Sequence, residues 1–233
     1  MKLYLELVKT KSTTVRVLHW LLFFSTVSLC GTGFYIADPF LFYGQGEATE
    51  AFTMAKIRGI HFWSAIVLDV VFLLRLYLAF FSTFHRDWYE VIPSPRHFWE
   101  AAKEIKYYWT LKGKLTEYRW VDPLDGIHFF GLHLVILLQL FTGFALYVSG
   151  IELVGGIYGI WATSLHWATD WTLVAFGGLP GVRLVHHVAT WLVMIGAFIH
   201  IYTQVWKTIK LRRADMSAII GGYRLRAHDA KHR

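Results

Sequence analysis

Four stretches of this chain stay apolar long enough to cross a bilayer, near residues 17–37, 57–81, 127–149 and 182–206. An α-helix needs about 20 such residues to cover ~30 Å of hydrocarbon. The pattern therefore predicts an all-α integral membrane fold: a four-helix transmembrane bundle in a single domain spanning 1–233. The first stretch fills a whole span and has no A-x-A cleavage site, so it reads as a span rather than a signal peptide. Between spans two and three, W-E-A-A-K-E-I-K-Y-Y-W-T-L-K places apolar residues at helical spacing with lysines between them. That is an amphipathic helix, lying on the inner membrane surface or connecting the spans through solvent. Segment 150–181 is rich in glycine and aromatics and predicts a short interfacial helix or a docking loop. No low-complexity stretch and no repeat at fixed period is visible.

Composition agrees with this reading. Only 17% of residues are charged, against about 25% in a soluble domain. The net charge of +7 is a matter of placement. Four Lys or Arg precede span one, seven lie between spans two and three, and eight follow span four. The two other loops hold almost none. The positive-inside rule then puts both termini and the middle loop in the cytoplasm. The basic residues sit where anionic lipid would be, which argues against nucleic acid as a partner. One cysteine, Cys30, is too few for a disulfide framework, a thiolate zinc site or an Fe–S cluster. Any metal cofactor must be held mainly by the 12 histidines.

Seven of those histidines lie within spans, and four of the seven stand out by position. His186 and His200 are 14 residues apart, close to four helical turns, so they share one helix face about 21 Å apart along the axis. His19 lies early in span one and His61 early in span two. Span direction places His61 and His186 near the outer side, and His19 and His200 near the inner side. Ionisable groups at such depth are costly and point to function. Two imidazoles from different helices can clamp one porphyrin, so the four predict two bis-histidine b-type haems suited to electron transfer.

Arg16, Arg58 and Arg183 each stand three residues before His19, His61 and His186. Residues i and i+3 share a helix face, so each arginine could pair with haem propionates at the membrane boundary. Arg75, fourteen residues after His61, shares that histidine's face near the inner end. His187 is about 100° round the helix from His186 and reads as a supporting residue, with an exchange of roles the alternative. Gly31, Gly33, Gly143 and Gly196 would let helices and porphyrin approach closely. His128 and His133 read as structural or interfacial, with a proton path or quinone contact as the alternative. Asp69, in mid-span two, reads as a buried hydrogen-bonding group.

V-R-V-L-H-W, G-E-A-T followed by I-R-G-I-H-F, L-L-R-L-Y-L-A-F, T-G-F-A-L-Y, W-L-V-M-I-G-A-F-I-H-I-Y and the tail G-G-Y-R make the chain resemble a known family. It is the b-type cytochrome subunit of membrane-bound nickel–iron uptake hydrogenases. The resemblance covers nearly the whole chain. It implies that His19, His61, His186 and His200 are axial haem ligands. It also implies a location in the bacterial cytoplasmic (inner) membrane. The implied partners are the Fe–S small subunit and, through it, the large nickel–iron subunit. Electrons would leave to membrane quinone, and the nickel–iron centre itself would lie in another chain. A quinone site near the inner haem would draw by depth on Tyr77, His133, Tyr202 and Gln204. The alternatives are a formate dehydrogenase or thiosulfate reductase subunit, a stand-alone di-haem superoxide or quinone oxidoreductase, and a haem-free transporter or structural anchor.

Overall fold

The computed structural model describes residues 4–39, 52–113, 121–151, 157–210 and 215–228. The G-E-A-T segment lies outside the described residues, as do Lys114, Arg119 and His232. The chain opens with strand β1 (Tyr4–Lys9), then helices α1 (Thr13–Ala37) and α2 (Thr53–Phe81). A single turn, α3 (Trp88–Val91), leads to α4 (Pro95–Thr110). There follow α5 (Pro123–Val148), α6 (Ile157–Phe176), α7 (Leu179–Lys210), α8 (Asp215–Ile220) and strand β2 (Tyr223–His228).

The helices α1, α2, α5 and α7 are the four expected spans, and all four are long and apolar enough to cross a membrane. Each starts three or four residues before its apolar run. Apolar composition stops where headgroups begin, whereas backbone hydrogen bonding continues past that level. Only 11% of the most apolar stretch of α1, α5 and α7 is buried, and 22% of that of α2. Phe24, Trp63, Leu73 and Phe198 all point outward. Apolar surface on that scale needs lipid, because water would penalise it by about 25 cal/mol per Å².

The chain divides into two compact units. The first comprises 1–90, 117–122 and 197–233. Here α1 packs on α2, with Ser28 and Ser64 sharing a 2.8 Å hydrogen bond and Phe72 fully buried. Ser12 starts α1 by accepting the Val15 N–H at 3.3 Å, the usual N-cap arrangement. The two ends of the chain meet in an antiparallel ribbon, Tyr4 opposite His228 and Lys9 opposite Tyr223. That ribbon is an addition to the all-α expectation. Its turn is fixed by Gly222, whose φ of +89° suits glycine. A Cβ there would lie 2.9 Å from the Lys11 carbonyl oxygen. The Gly222 carbonyl in turn accepts from the Thr10 and Lys11 N–H groups.

The second unit comprises 91–116 and 123–196. Ser94 caps α4 through the His97 N–H, Pro95 takes the first turn, and Leu111 ends the helix in the left-handed region. Ala101 and Glu104 form its buried face, while Phe98, Trp99, Ile105 and Trp109 face outward. The helix is therefore amphipathic, as its spacing predicts. Glu104 accepts the Leu124 N–H at 3.2 Å and so satisfies one of the orphan donors at the start of α5. Segment 150–181 departs from the expectation of a short helix or loop. It contains the 20-residue α6, whose Ala162 and Leu165 pack on Val148 of α5. Thr169 and Thr172 in α6 are buried and return their hydroxyl protons to the helix's own carbonyls, so they cost little there.

Candidate functional site

In the first unit, α1 and α2 set His61 against Thr32. The Thr32 Oγ1 lies 2.8 Å from His61 Nδ1. The same hydroxyl donates to the Ser28 carbonyl at 2.7 Å. Gly33, the next residue, leaves room for the ring, since a Cβ there would lie 3.4 Å from His61 Cε1. A larger side chain would meet the imidazole.

His19 and His200 are also in the first unit. The rings of His19, on α1, and His200, on α7, have centroids 6.3 Å apart and are tilted by 58°. Two metal–imidazole bonds of about 2 Å each, extended to the ring centres, span roughly 6 Å. The pair therefore has the separation of two rings that can take one metal between them. His19 Nδ1 is buried and has no hydrogen-bond partner among the described residues. An orphaned buried ring nitrogen is expensive in an apolar setting and signals a site built for something more than packing. A haem fits this donor set: two imidazoles from different helices, one of them with an orphaned ring nitrogen.

In the second unit, Thr142 Oγ1 lies 2.8 Å from His186 Nδ1 and donates to the Leu138 carbonyl at 2.7 Å. A Cβ on Gly143 would lie 3.4 Å from His186 Cε1. The Gln139 amide donates to the His186 carbonyl at 3.0 Å and to Thr190 Oγ1 at 2.7 Å, tying α5 to α7 beside the ring. His187 has a different neighbour: its Nε2 accepts from Trp191 Nε1, one turn further along, at 3.4 Å. The two rings of the doublet thus face different surroundings.

Arg58 and Arg183 are exposed at the start of their helices. Arg16 is half-buried, and its Nη1 donates to the Gly221 carbonyl at 3.2 Å. This arginine thus holds the tail turn as well as standing one turn before His19. Arg75 forms an ion pair with Asp87, in the loop after α2. Its other terminal nitrogen, Nη1, is buried and has no partner among the described residues. His128 Nε2 bonds the Gly196 carbonyl at 3.0 Å and joins α5 to α7, a structural role. His133 Nδ1 turns back to the Phe129 carbonyl on its own helix. Tyr77 and Tyr202 are exposed, and Gln204 is half-buried. Asp69 is half-buried in α2.

Sequence reasoning passed over Thr32, Thr142 and Gln139. A signal was present for the two threonines: Thr-Gly-Phe occurs at 32–34 and again at 142–144. The interval to the next Arg-x-x-His differs between the two occurrences, so a search at fixed period misses the duplication.

The model of the family described as prokaryotic cytochrome b561 matches residues 11–222 of this chain. A probable Ni/Fe-hydrogenase B-type cytochrome subunit of Rhodobacter capsulatus is 32% identical, over 90% of this chain and 78% of the relative. The protein of the same description from Azotobacter chroococcum is 31% identical, over 91% and 85%. A probable Ni/Fe-hydrogenase 1 B-type cytochrome subunit of Escherichia coli is 30% identical, over 90% and 87%. With a match from 11 to 222 and four membrane-length apolar helices, this chain is a multi-pass membrane protein and belongs to the prokaryotic cytochrome b561 family.

Proposed function

We propose that this chain is the di-haem b membrane subunit of a nickel–iron hydrogenase. It takes electrons from the Fe–S small subunit and delivers them to membrane quinone. The observation that carries the reading is the His19–His200 pair, with rings 6.3 Å apart and the His19 Nδ1 buried and orphaned. The hydrogenase partner is inferred from the descriptions of the relatives.

His19 and His200 hold the inner haem, and His61 and His186 the outer one, paired by the depth that span direction gives them. When bound, a haem iron between two imidazoles supplies reversible one-electron oxidation and reduction, with no open position for a small ligand. The chain's own residues hold and orient. Thr32 and Thr142 each fix one imidazole, and Gly33 and Gly143 leave space for it. Arg16, Arg58 and Arg183 stand one turn before a ligand, where a guanidinium can meet a propionate. The lysine-rich loops face the cytoplasm, and the outer side is left to the small subunit. Quinone is placed by depth near Tyr77, His133, Tyr202 and Gln204.

Pyridine haemochrome analysis of the purified protein tests this directly. Two haem b per chain, together with hydrogen-dependent quinone reduction in membranes carrying the hydrogenase subunits, is the expected result. A preparation free of haem b overturns the reading.

A further inference from the structure

Two separate helix pairs repeat one piece of local chemistry. In α1, Thr32 Oγ1 lies 2.7 Å from the Ser28 carbonyl, 3.3 Å from the Leu29 carbonyl and 2.8 Å from His61 Nδ1. In α5, Thr142 Oγ1 lies 2.7 Å from the Leu138 carbonyl, 3.3 Å from the Gln139 carbonyl and 2.8 Å from His186 Nδ1. The glycine that follows each threonine stands off the same imidazole, with its missing Cβ 3.4 Å from Cε1 in both cases. Threonine back-bonding to its own helix is commonplace in apolar helices. The third contact, to a ring nitrogen of another helix, is not required by back-bonding, and here it recurs at the same distance.

The proton count assigns the direction of that contact. A hydroxyl carries one proton. Thr32 and Thr142 each commit it to a backbone carbonyl, so towards the imidazole the oxygen acts as acceptor. Nδ1 must then be the protonated nitrogen, and the lone pair of the ring belongs to Nε2. A histidine that ligates a metal through one nitrogen ordinarily donates its other N–H to such an acceptor, which fixes the tautomer and raises ligand basicity. His19 has no counterpart: its Nδ1 is without a hydrogen-bond partner among the described residues.

We propose that Thr32 and Thr142 are positioning residues for two haem ligands, each for the imidazole it meets. Each holds its histidine in the Nδ1-protonated form and lowers the reduction potential of the haem which that histidine ligates, relative to a ligand without an acceptor. The proposal rests on the di-haem reading above. It goes beyond ligand identity, because it assigns haem tuning to two hydroxyls that bind neither iron nor porphyrin.

Redox titration followed optically, with electron paramagnetic resonance of the ferric protein, tests it on the full chain. The variants are Thr32→Val, Thr142→Val and, for rescue, Thr32→Ser and Thr142→Ser. Each valine variant is expected to keep both haems and to raise the midpoint of one component. Each serine variant should stay at the wild-type value. Loss of one haem in a valine variant, with retention in its serine counterpart, also supports the hydroxyl's role. Loss in both, or no shift in either valine variant, overturns the proposal while two wild-type haems leave the di-haem reading standing. A wild-type protein without two b haems overturns both.

Discussion

Lys207 donates to Asp122 across 2.7 Å, and both side chains are almost wholly buried, at 2% and 5% exposure. The pair holds the C-terminal part of α7 to the segment just before α5. Removing one partner leaves an uncompensated buried charge, which costs about 3–5 kcal/mol. Lys207→Ala and Asp122→Ala should each lower the thermal midpoint sharply in detergent. A double replacement by apolar residues, Lys207→Met with Asp122→Leu, should recover much of the loss. Single variants that unfold like the wild type would refute the pair's role.

Gly33 and Gly143 stand 3.4 Å, measured from an added Cβ, from the rings of His61 and His186. An alanine fits that gap, and the branched carbons of valine do not. Gly33→Val and Gly143→Val should each remove one haem, counted by haemochrome. Gly31 has nothing within 4 Å of an added Cβ. Gly31→Ala should keep both haems and gain about 0.5–1 kcal/mol from the stiffer helix backbone.

The adjacent histidines 186 and 187 separate cleanly by substitution. His186 meets Thr142 on α5, whereas the His187 ring accepts from the Trp191 indole on its own helix. His186→Ala should leave one haem per chain and abolish hydrogen-to-quinone electron flow. His187→Ala should retain two. The reverse pattern in the Soret absorbance would exchange the two roles.

Lys11 lies between β1 and the cap of α1, outside the spans. Burial lowers its pKa below the ordinary 10.5, outweighing the carboxylates of Asp87 and Glu90, which raise it; Arg75 and Arg224 lower it further. The unfolded chain therefore holds this proton more tightly than the folded one. Stability should rise with pH between the lowered folded value and 10.5, and charged Lys11 should cost stability below that window. Lys11→Met is expected to raise the unfolding midpoint at neutral pH and to flatten the alkaline rise. Identical pH slopes for variant and wild type would contradict this.

The spans were legible because about twenty apolar residues in a row leave one physical solution in lipid. The inner and outer depths proposed for the histidines rest on loop charge and span direction, both one-dimensional properties. What the sequence concealed depends on where a second element arrives. Thr32 and Thr142 look like ordinary back-bonding threonines until another helix brings an imidazole to them. Arg75 shares a face with His61, but the turn after α2 brings Asp87 to its guanidinium. Helix α6 is hidden by flanking glycines that suggest a loop. Y-R-L-R-A-H alternates apolar and polar residues, but Y-L-E-L-V-K does not, and six residues are too few to read as a strand without the distant partner.

That ribbon pairs a strand made before α1 with one made after α8. From Tyr4 to Lys9 the chain has its backbone donors and acceptors ready long before Tyr223 to His228 exist. Ring closure can occur only after α7 has been synthesised and the fourth crossing made. Translation therefore leaves the β1 edge open until β2 has been made. A product halted after α7 carries all four of the described spans, yet keeps an unpaired strand edge.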